Sequence, residues 1–304
     1  MREKVVVFGA TGFIASNLIN ILIDKYEVVA VSRSLEGVKK KFPENVIGFE
    51  WDYRNTETIV PVLYNSFAVI NLTGENISNR RWTTRQKTKI LSSRVDTARI
   101  IINALNKCGS PPKAYLQGSA IGYYRHTCID NKNEQPVKGM SFLSNVVKLW
   151  EKETILLRKD VRLIIIRTGV VIAKNAGMLQ KFRLPFKFGF GGYIGSGKQW
   201  ISWIHIEDEV RAIKFLMEKN STSGVYNLAA PEPLIMKDFI KIFADELKKK
   251  SWFHIPSFIM RMLYGQMAEE IILNGVKVLP KRLLKEEYHY IFNDFRSAMK
   301  KNMF

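Results

Sequence analysis

The chain has 304 residues, of which 46% are hydrophobic and 25% are charged, and its formal net charge is +19 at pH 7. This length allows one large or two modest domains with a buried core, and the composition excludes a disordered or fibrous protein. No apolar run reaches the roughly 18 residues that a membrane-spanning helix needs. The two cysteines form no disulfide framework, and the four histidines lack the spacing of a metal site. We therefore expect a cytoplasmic protein, or one of an organelle interior after removal of a transit peptide, with no metal and no membrane partner.

The charge of +19 permits two interpretations. A nucleic acid or an anionic membrane would be attracted to it, but a lysine-rich proteome and an anionic cofactor would also explain it. The densest basic groups lie at residues 39–41, 80–89 and 248–250, and none alternates with aromatic residues as a single-strand binding groove does. We favour the second interpretation, so a nucleic-acid partner is not expected.

The first strong signal is a strand, a glycine turn and a helix. Residues 5–8 are apolar, Gly9, Gly12 and Ala15 follow with the spacing G-x-x-G-x-x-A, and residues 18–23 continue with helical periodicity. In dinucleotide-binding units the glycines permit the tight turn and the approach of a pyrophosphate, which the helix N-terminus attracts. We predict that this turn binds a dinucleotide through Gly9, Ala10, Thr11, Gly12, Phe13 and Ile14.

The end of the second predicted strand, residues 27–31, indicates which dinucleotide is bound. Enzymes that use NAD usually place Asp or Glu here to hold the ribose 2′-OH, whereas this chain has Ser32, Arg33 and Ser34. An arginine beside small hydroxyls suits the 2′-phosphate of NADP. We therefore predict NADP rather than NAD as the cofactor, with Ser32 and Arg33 among its ligands.

Strands and helices continue to alternate through the first half of the chain. Further strands are predicted at 46–50, 67–72, 114–119 and 161–166, and helices at 83–106 and 142–157. This alternation predicts an α/β fold, a Rossmann-type, doubly wound and mainly parallel sheet. Asp52 would accept a hydrogen bond from the adenine amino group. The other cofactor ligands are predicted at strand ends: Leu72, Thr73, Gly74, Ser119 and Arg167.

The pattern changes at about residue 173. Residues 173–200 are rich in glycine and phenylalanine and predict a loop on the substrate side. A helix at 206–219, a strand at 225–228 and helices at 236–250 and 256–273 follow. We expect the last of these, a Met-rich amphipathic helix, to pack on its own domain. The prediction is a dinucleotide-binding domain at 1–172, on which 206–219 and 225–228 pack back, and a smaller, mainly helical substrate-side region at 173–304.

Motifs along the chain resemble those of extended short-chain dehydrogenases/reductases. They include Gly9-Ala-Thr-Gly-Phe-Ile14, Asn71-Leu-Thr-Gly74, Ser119 and the segments 167–169, 203–208 and 225–228. More narrowly, the chain is similar to the atypical NAD-dependent epimerase/dehydratase-like family whose bacterial members carry a C-terminal domain of unknown function. Those matches run in order over nearly the whole chain, at 81–83, 93–94, 119–124, 142–143, 150–151, 195–200, 266–270 and 278–282.

One feature of the wider superfamily is missing. Its chemistry uses Tyr-x-x-x-Lys on the helix after the fifth strand, where the lysine lowers the pKa of the tyrosine and holds the ribose. Here Phe142 and Val146 stand at those positions, and Lys148 lies two residues on, about 200° around the helix. The resemblance implies that the narrower family shares this departure, keeps Ser119 and has Arg94 where relatives use Asn.

Two functions therefore stay open. As an oxidoreductase or epimerase, the chain would use Ser119 and Arg94, with Tyr123 or Tyr124, to polarise the carbonyl of an unknown small molecule beside the nicotinamide. Alternatively it is a catalytically degenerate, cofactor-binding sensor or scaffold, which the naming of relatives after cell division would suit. A nucleic-acid-associated basic protein is the third class. We expect a monomer or a homodimer.

Overall fold

A computed structural model of the protein describes residues 2–124, 141–174 and 176–303. His126 and Cys128 lie outside the described residues. The strands are β1 (Lys4–Phe8), β2 (Glu27–Ser32), β3 (Ile47–Glu50), β4 (Ala68–Asn71), β5 (Ala114–Ala120), β6 (Arg162–Thr168), β7 (Val170–Ala173), β8 (Gly192–Ile194), β9 (Trp200–Ile201), β10 (Trp203–His205), β11 (Gly224–Leu228), β12 (Leu234–Ile235) and β13 (Phe253–Ile255).

Helices connect most of these strands. They are α1 (Phe13–Leu22), α2 (Leu35–Lys41), α3 (Val60–Leu63), α4 (Thr84–Lys107), α5 (Phe142–Glu153), α6 (Gly177–Lys187), α7 (Ile206–Glu218), α8 (Met236–Glu246), α9 (Ser257–Tyr264), α10 (Lys281–Lys285) and α11 (Phe295–Met303). Short 3₁₀ turns follow β5 at Ile121–Tyr123 and α5 at Thr154–Leu156, and a π-helical turn lies at Ala268–Ile272. None of the helices in the described ranges is long and apolar enough to cross a membrane.

The central sheet has seven parallel strands in the order β3-β2-β1-β4-β5-β6-β11. The side chains of β1 alternate between two cores. Val5 and Val7 pack in one core with Ile19 of α1 and Ile213 of α7, whereas Val6 packs in another with Ile101 of α4. Burial on both faces explains the continuous apolar run of this strand. The predicted Rossmann-type sheet is confirmed.

The register brings the predicted strand ends together. Phe8 pairs with Asn71, Asn71 with Gln117, and Ser119 with Arg167. The carboxyl ends of β1, β4, β5 and β6 therefore meet at one edge of the sheet. The order of the strands reverses between β1 and β4, and ligands of doubly wound folds bind at such a point.

The second half of the chain departs from the prediction in two places. Residues 177–187 form helix α6, so the predicted loop at 173–200 is wrong there. The Phe186 ring of α6 packs edge-on against Phe243 of α8 at 5.1 Å. The predicted helix at 256–273 is broken at Gly265, whose φ of 57° does not fit a right-handed helix.

Two elements of the second half lie on the central sheet. Strand β11 pairs with β6, and Val210, Ile213 and Leu216 of α7 share a core with α1. The remaining short strands form three two-stranded sheets, β7-β10, β9-β12 and β8-β13. The division of the chain at residue 172 stays a prediction.

Candidate cofactor and substrate site

The glycine turn fits closely against the end of β4. Gly9 has a φ of 75°, and a Cβ atom on it would lie 2.9 Å from the backbone oxygen of Leu72. The Gly12 N–H donates to the Gly9 oxygen at 2.8 Å and closes the turn. Gly12 is also the N-cap of α1, and no side chain of the described residues caps this helix. The first N–H groups of α1, including those of Phe13 and Ile14, are therefore left for a ligand, as a pyrophosphate site requires.

A basic corner lies beside this turn at the end of β2. The Thr11 and buried Ser32 hydroxyls are 3.3 Å apart, and the Ser34 hydroxyl caps α2. Arg33 is exposed and forms no ion pair with a described residue. Lys41, from the last turn of α2, donates to the Thr11 oxygen at 2.8 Å, and partial burial lowers its pKa. Sequence reasoning missed Lys41, although the basic run at 39–41 was visible.

Two carboxylates near this corner already accept hydrogen bonds from backbone N–H groups. Glu50, at the end of β3, accepts from the Leu35 N–H at 2.9 Å and so caps α2. Asp52 accepts from the Arg54 N–H at 3.0 Å within its own turn and is exposed. The contact between Asp52 and adenine therefore stays a prediction.

Arg94 lies against the end of β4. A Cβ atom on Gly74 would be 2.9 Å from the guanidinium carbon, and the guanidinium donates to the Glu75 and Ile90 backbone oxygens at 3.0 and 3.1 Å. It lies 5.4 Å from the Trp150 ring centre. Burial lowers the pKa of Arg94 to about 10, so it still carries its charge at neutral pH. The Glu75 charge partly offsets this lowering of the pKa, but no carboxylate in the described ranges forms an ion pair with Arg94. Such a cation suits an anionic ligand better than proton transfer.

Neighbouring polar groups of β4 are engaged within the protein. The buried Thr73 hydroxyl donates to the Asn71 side chain at 2.6 Å, which in turn donates to Gln117 at 3.2 Å. Leu72 fills the space between the glycine turn and Gly118. The predicted contacts of Leu72 and Thr73 with the cofactor would therefore involve mainly their backbone.

A buried polar chain begins at Ser119. Its hydroxyl donates to Glu151 at 2.5 Å, and Glu151 forms a two-point ion pair with Arg167 at 2.8 and 2.7 Å. Arg167 donates to the Tyr124 hydroxyl at 2.9 Å, which donates to the Asn227 side chain at 2.8 Å. Burial opposes the charge on Arg167, but the hydrogen bonds and charge of Glu151 raise its pKa above the usual value.

The two tyrosines differ in their surroundings. Tyr124 is buried within the polar chain, whereas Tyr123 is partly exposed, with the Arg167 guanidinium 3.6 Å from its ring centre. The Arg167 guanidinium is already hydrogen-bonded to Glu151 and Tyr124. Its contact with the cofactor stays a prediction. Glu151 and Asn227 were absent from the predicted site, although Glu151 belongs to one of the matching segments. Their roles depend on contacts between distant parts of the chain.

The start of α5, where the superfamily has its Tyr-x-x-x-Lys pair, is filled with apolar side chains. Phe142 and Val146 pack in one cluster with Trp82, Ile90 and Met267. The backbone N–H groups of Phe142 and Leu143 donate to the carboxylate of Glu270 at 3.1 and 2.8 Å. The Lys87 ammonium lies 5.5 Å from the Phe142 ring centre, but neither it nor Glu270 stands on α5 at the position of the missing Tyr or Lys.

Comparison with known proteins agrees with this geometry. The model of the NAD dependent epimerase/dehydratase family matches residues 5–139, and that of a domain of unknown function (DUF1731) matches residues 255–301. Human epimerase family protein SDR39U1 is 32% identical over 301 residues, which cover 98% of each chain. Epimerase family protein YfhF of Bacillus subtilis is 32% identical, over 97% of this chain and 96% of its own. The chain belongs to this epimerase family.

Solved structures agree with the family and the fold. The crystal structure of human epimerase family protein SDR39U1 (isoform 2) with NADPH is 31% identical, covers 99% of both chains and has a TM-score of 0.87. The predicted NADP cofactor agrees with the NADPH in that structure. A UDP-N-acetylglucosamine 4-epimerase from Methanobrevibacter ruminantium covers all of this chain and 98% of its own, with a TM-score of 0.76 and 16% identity. This second likeness shows the fold alone.

Proposed function

We propose that the protein binds NADP(H) at the glycine turn, with the 2′-phosphate between Arg33 and Lys41. The observation that carries this proposal is two cations beside the turn, Arg33 and Lys41, with a third, Arg94, at the end of β4; none forms an ion pair with a carboxylate among the described residues. Unpaired cations beside a helix N-terminus favour a ligand with several negative charges. The NADPH in the human relative's crystal structure supports the same ligand.

Titration of native tryptophan fluorescence with NADPH and NADH tests this proposal. Arg33→Ala and Lys41→Ala should each weaken NADPH binding about tenfold to a hundredfold, because each removes a charge-assisted hydrogen bond. NADH binding should not change. Lys39→Ala is the matched control on the same helix, since Lys39 is exposed. Equal affinity of the native chain for NADH and NADPH would contradict the proposal.

We further propose that the bound cofactor serves an oxidoreductase or epimerase reaction on a small carbonyl compound or alcohol. When bound, the nicotinamide donates or accepts hydride. The Ser119 hydroxyl already donates a hydrogen bond to Glu151 and the Tyr124 hydroxyl one to Asn227, so Tyr123 is the hydroxyl that would pass a proton to or from the substrate oxygen. The Arg167 guanidinium, fixed by its ion pair with Glu151, lies 3.6 Å from the centre of the Tyr123 ring and would hold that ring in position.

A reductase assay with NADPH over a panel of carbonyl compounds tests the reaction. Tyr123→Phe should lower kcat at least about tenfold without changing the affinity for NADPH, since general acid catalysis contributes roughly a hundredfold or more. Ser119→Ala should lower kcat less, because the hydroxyl acts through Glu151. Full activity of Tyr123→Phe would contradict the role of Tyr123.

The apolar packing of Phe142 and Val146 favours a second function, a cofactor-binding sensor or scaffold. In this case the protein would bind NADPH tightly and turn over none of the carbonyl compounds. Its hydrodynamic radius or partner binding would instead respond to NADPH. Turnover that Tyr123→Phe abolishes would contradict this alternative.

A further inference from the structure

Helices α6 and α9 and the segments beside them turn large apolar side chains toward solvent. Leu184 and Phe188 lie one turn apart at the end of α6, and Phe258 and Met262 lie one turn apart on α9. These side chains and two neighbouring aromatic rings are more than half exposed: Leu184 62%, Phe188 66%, Phe190 59%, Trp252 71%, Phe258 64% and Met262 67%. We call these six residues the aromatic face. Exposed apolar surface of this kind marks an interaction site in most soluble proteins.

The members of the aromatic face belong to one part of the molecule. Phe182 of α6 packs in the same cluster as Met260 of α9, so the two helices share a core beneath their exposed sides. Strand β8, which follows α6, pairs with β13, which precedes α9. The rings of Phe190 and Trp252 lie 6.1 and 5.7 Å from the ring of Phe253. Phe190 and Trp252 therefore lie close together beside Phe253, and the other four residues lie on the two helices that flank this strand pair.

The segments that carry the aromatic face are basic. Residues 177–192 contain three Lys or Arg and residues 247–264 contain four, and neither segment contains Asp or Glu. Lys187 is adjacent to Phe188, and residues 248–250 are three lysines just before Trp252. Arg261 pairs with Glu269 on the surface. The aromatic face thus joins apolar tips with Lys187 and the three lysines at 248–250, which form no ion pair with a described residue.

We propose that the aromatic face docks on an anionic lipid surface. The aromatic and aliphatic tips enter the boundary between headgroups and acyl chains, and the lysines bind lipid phosphates with their long side chains extended. Positive charge together with Trp, Phe and Leu on short amphipathic helices is the composition of such surfaces. The protein lies on the membrane and does not span it. This inference departs from the expectation, drawn from the sequence, of no membrane partner.

Two other occupants fit the aromatic face less well. In a symmetric dimer, the face would meet its own positive charges, which repel. A single nucleic-acid strand stacks on aromatic rings, and Leu184 and Met262 offer none. The sequence predicted that the Met-rich helix packs on its own domain, and Met260 does so. Phe258 and Met262 on the same helix are left exposed for the lipid.

Vesicle cosedimentation tests the proposal with the full chain and saturating NADPH. Vesicles of phosphatidylcholine with about 40% phosphatidylglycerol should bind the protein at least tenfold more strongly than phosphatidylcholine alone. The double substitution Phe188→Ser/Phe190→Ser should reduce this binding about tenfold or more. Ile155→Ser is the matched control, since Ile155 is 77% exposed on the turn after α5, and it should bind as the native chain does. NADPH affinity reports that each variant is folded.

Trp252 supplies a second readout. Brominated lipids should quench part of the native fluorescence, and Trp252→Phe should bind the vesicles normally but lose that quenching. Binding that salt abolishes and that Phe188→Ser/Phe190→Ser leaves unchanged would overturn the proposal, since general positive charge would then suffice. Absence of binding to the anionic vesicles would overturn it as well. So would self-association that the same double substitution abolishes without any effect of lipid.

Discussion

The glycine turn and the start of α5 each follow a strand of the central sheet, and they are built in opposite ways. At the turn, a Cβ atom on Gly9 would meet backbone, the first N–H groups of α1 have no side-chain cap, and three cations have no carboxylate partner. At the start of α5, Phe142 and Val146 are packed against apolar side chains, and Glu270 accepts from the first N–H groups. At the turn, N–H groups and cations are left for a ligand, and we call it the open region. At the start of α5, the protein itself supplies the partners, and we call it the closed region.

This difference separates two properties that usually occur together in short-chain dehydrogenases/reductases. Cofactor binding requires space, free N–H groups and positive charge, and all three are present at the turn. Proton transfer by the usual pair requires a tyrosine and a lysine at the start of α5. This chain has Phe142 and Val146 at those positions, packed among apolar side chains. Any proton in a reaction must come from another group, and we propose Tyr123, which is partly exposed, for that role.

The largest expected effect follows from filling the open region. Gly9→Val places a branched side chain at a φ of 75° and against the Leu72 backbone at 2.9 Å. NADPH affinity should fall more than about a hundredfold, and the strain should cost about 2–3 kcal/mol of stability. Fluorescence titration and urea unfolding measure the two effects. Gly109→Val is the control, since a Cβ there meets nothing within 4 Å, and similar losses in both variants would contradict the role of the turn.

The next effect follows from restoring the missing lysine. Val146 is 1% exposed, so Val146→Lys places a charge in an apolar cluster and should cost about 3–5 kcal/mol. Combined with Phe142→Tyr, it should give no new reductase activity. Leu149→Lys, on an exposed part of α5, should change stability by less than about 1 kcal/mol. Normal stability and a gain in activity would show that this region is open to the cofactor after all.

The sequence predicted the open region better than the closed one. The residues of the turn are consecutive, and each has a backbone role that its type reveals. Glu151 and Glu270 act on Ser119 and Phe142 from 32 and 128 residues away, and no local pattern shows such contacts. The central strands were predicted because both faces are buried and the apolar runs are long. Strands β8, β9, β10, β12 and β13 have only two or three residues, too few for any period.

Helix α6 was missed for a local reason. The glycines and phenylalanines of this segment suggested a loop, although Leu179, Phe182 and Phe186 have helical spacing. Lys41 was missed because a run of lysines on a helix usually faces solvent. Its contact with Thr11 depends on how α2 packs beside the turn. The packing of α6 on α8 and of α2 beside the glycine turn decided these two cases, and neither contact is visible in the local sequence.

A buried carboxyl group, that of Glu209, lies against the end of β6. Glu209 on α7 is fully buried, accepts from the Thr168 hydroxyl at 2.7 Å, and burial raises its pKa to about 8. The folded state therefore holds a proton that the unfolded chain releases above about 4.5. Stability should fall by up to about 1.4 kcal/mol per pH unit between these two values.

Glu209→Gln should remove this part of the pH dependence, so the variant should gain stability over the native chain from pH 5.5 to about 7.5. Urea unfolding at several pH values measures the difference. Val210→Ala, on the same helix, is the control: it removes buried apolar surface and no titratable group, so it should lower stability by the same amount at each pH. A stability difference between the native chain and Glu209→Gln that does not change with pH would mean that Glu209 is ionised in the folded protein.

The smallest effect concerns what holds the start of α5 closed. Glu270→Gln removes the negative charge at the helix N-terminus and leaves one amide oxygen for two N–H groups, so it should cost about 1 kcal/mol. Glu269→Gln breaks only the exposed pair with Arg261 and should cost less than about 0.5 kcal/mol. Urea unfolding compares the two. If both variants lose the same small amount, the C-terminal region does not hold α5 through this carboxylate, and the apolar cluster around Phe142 alone keeps the region closed.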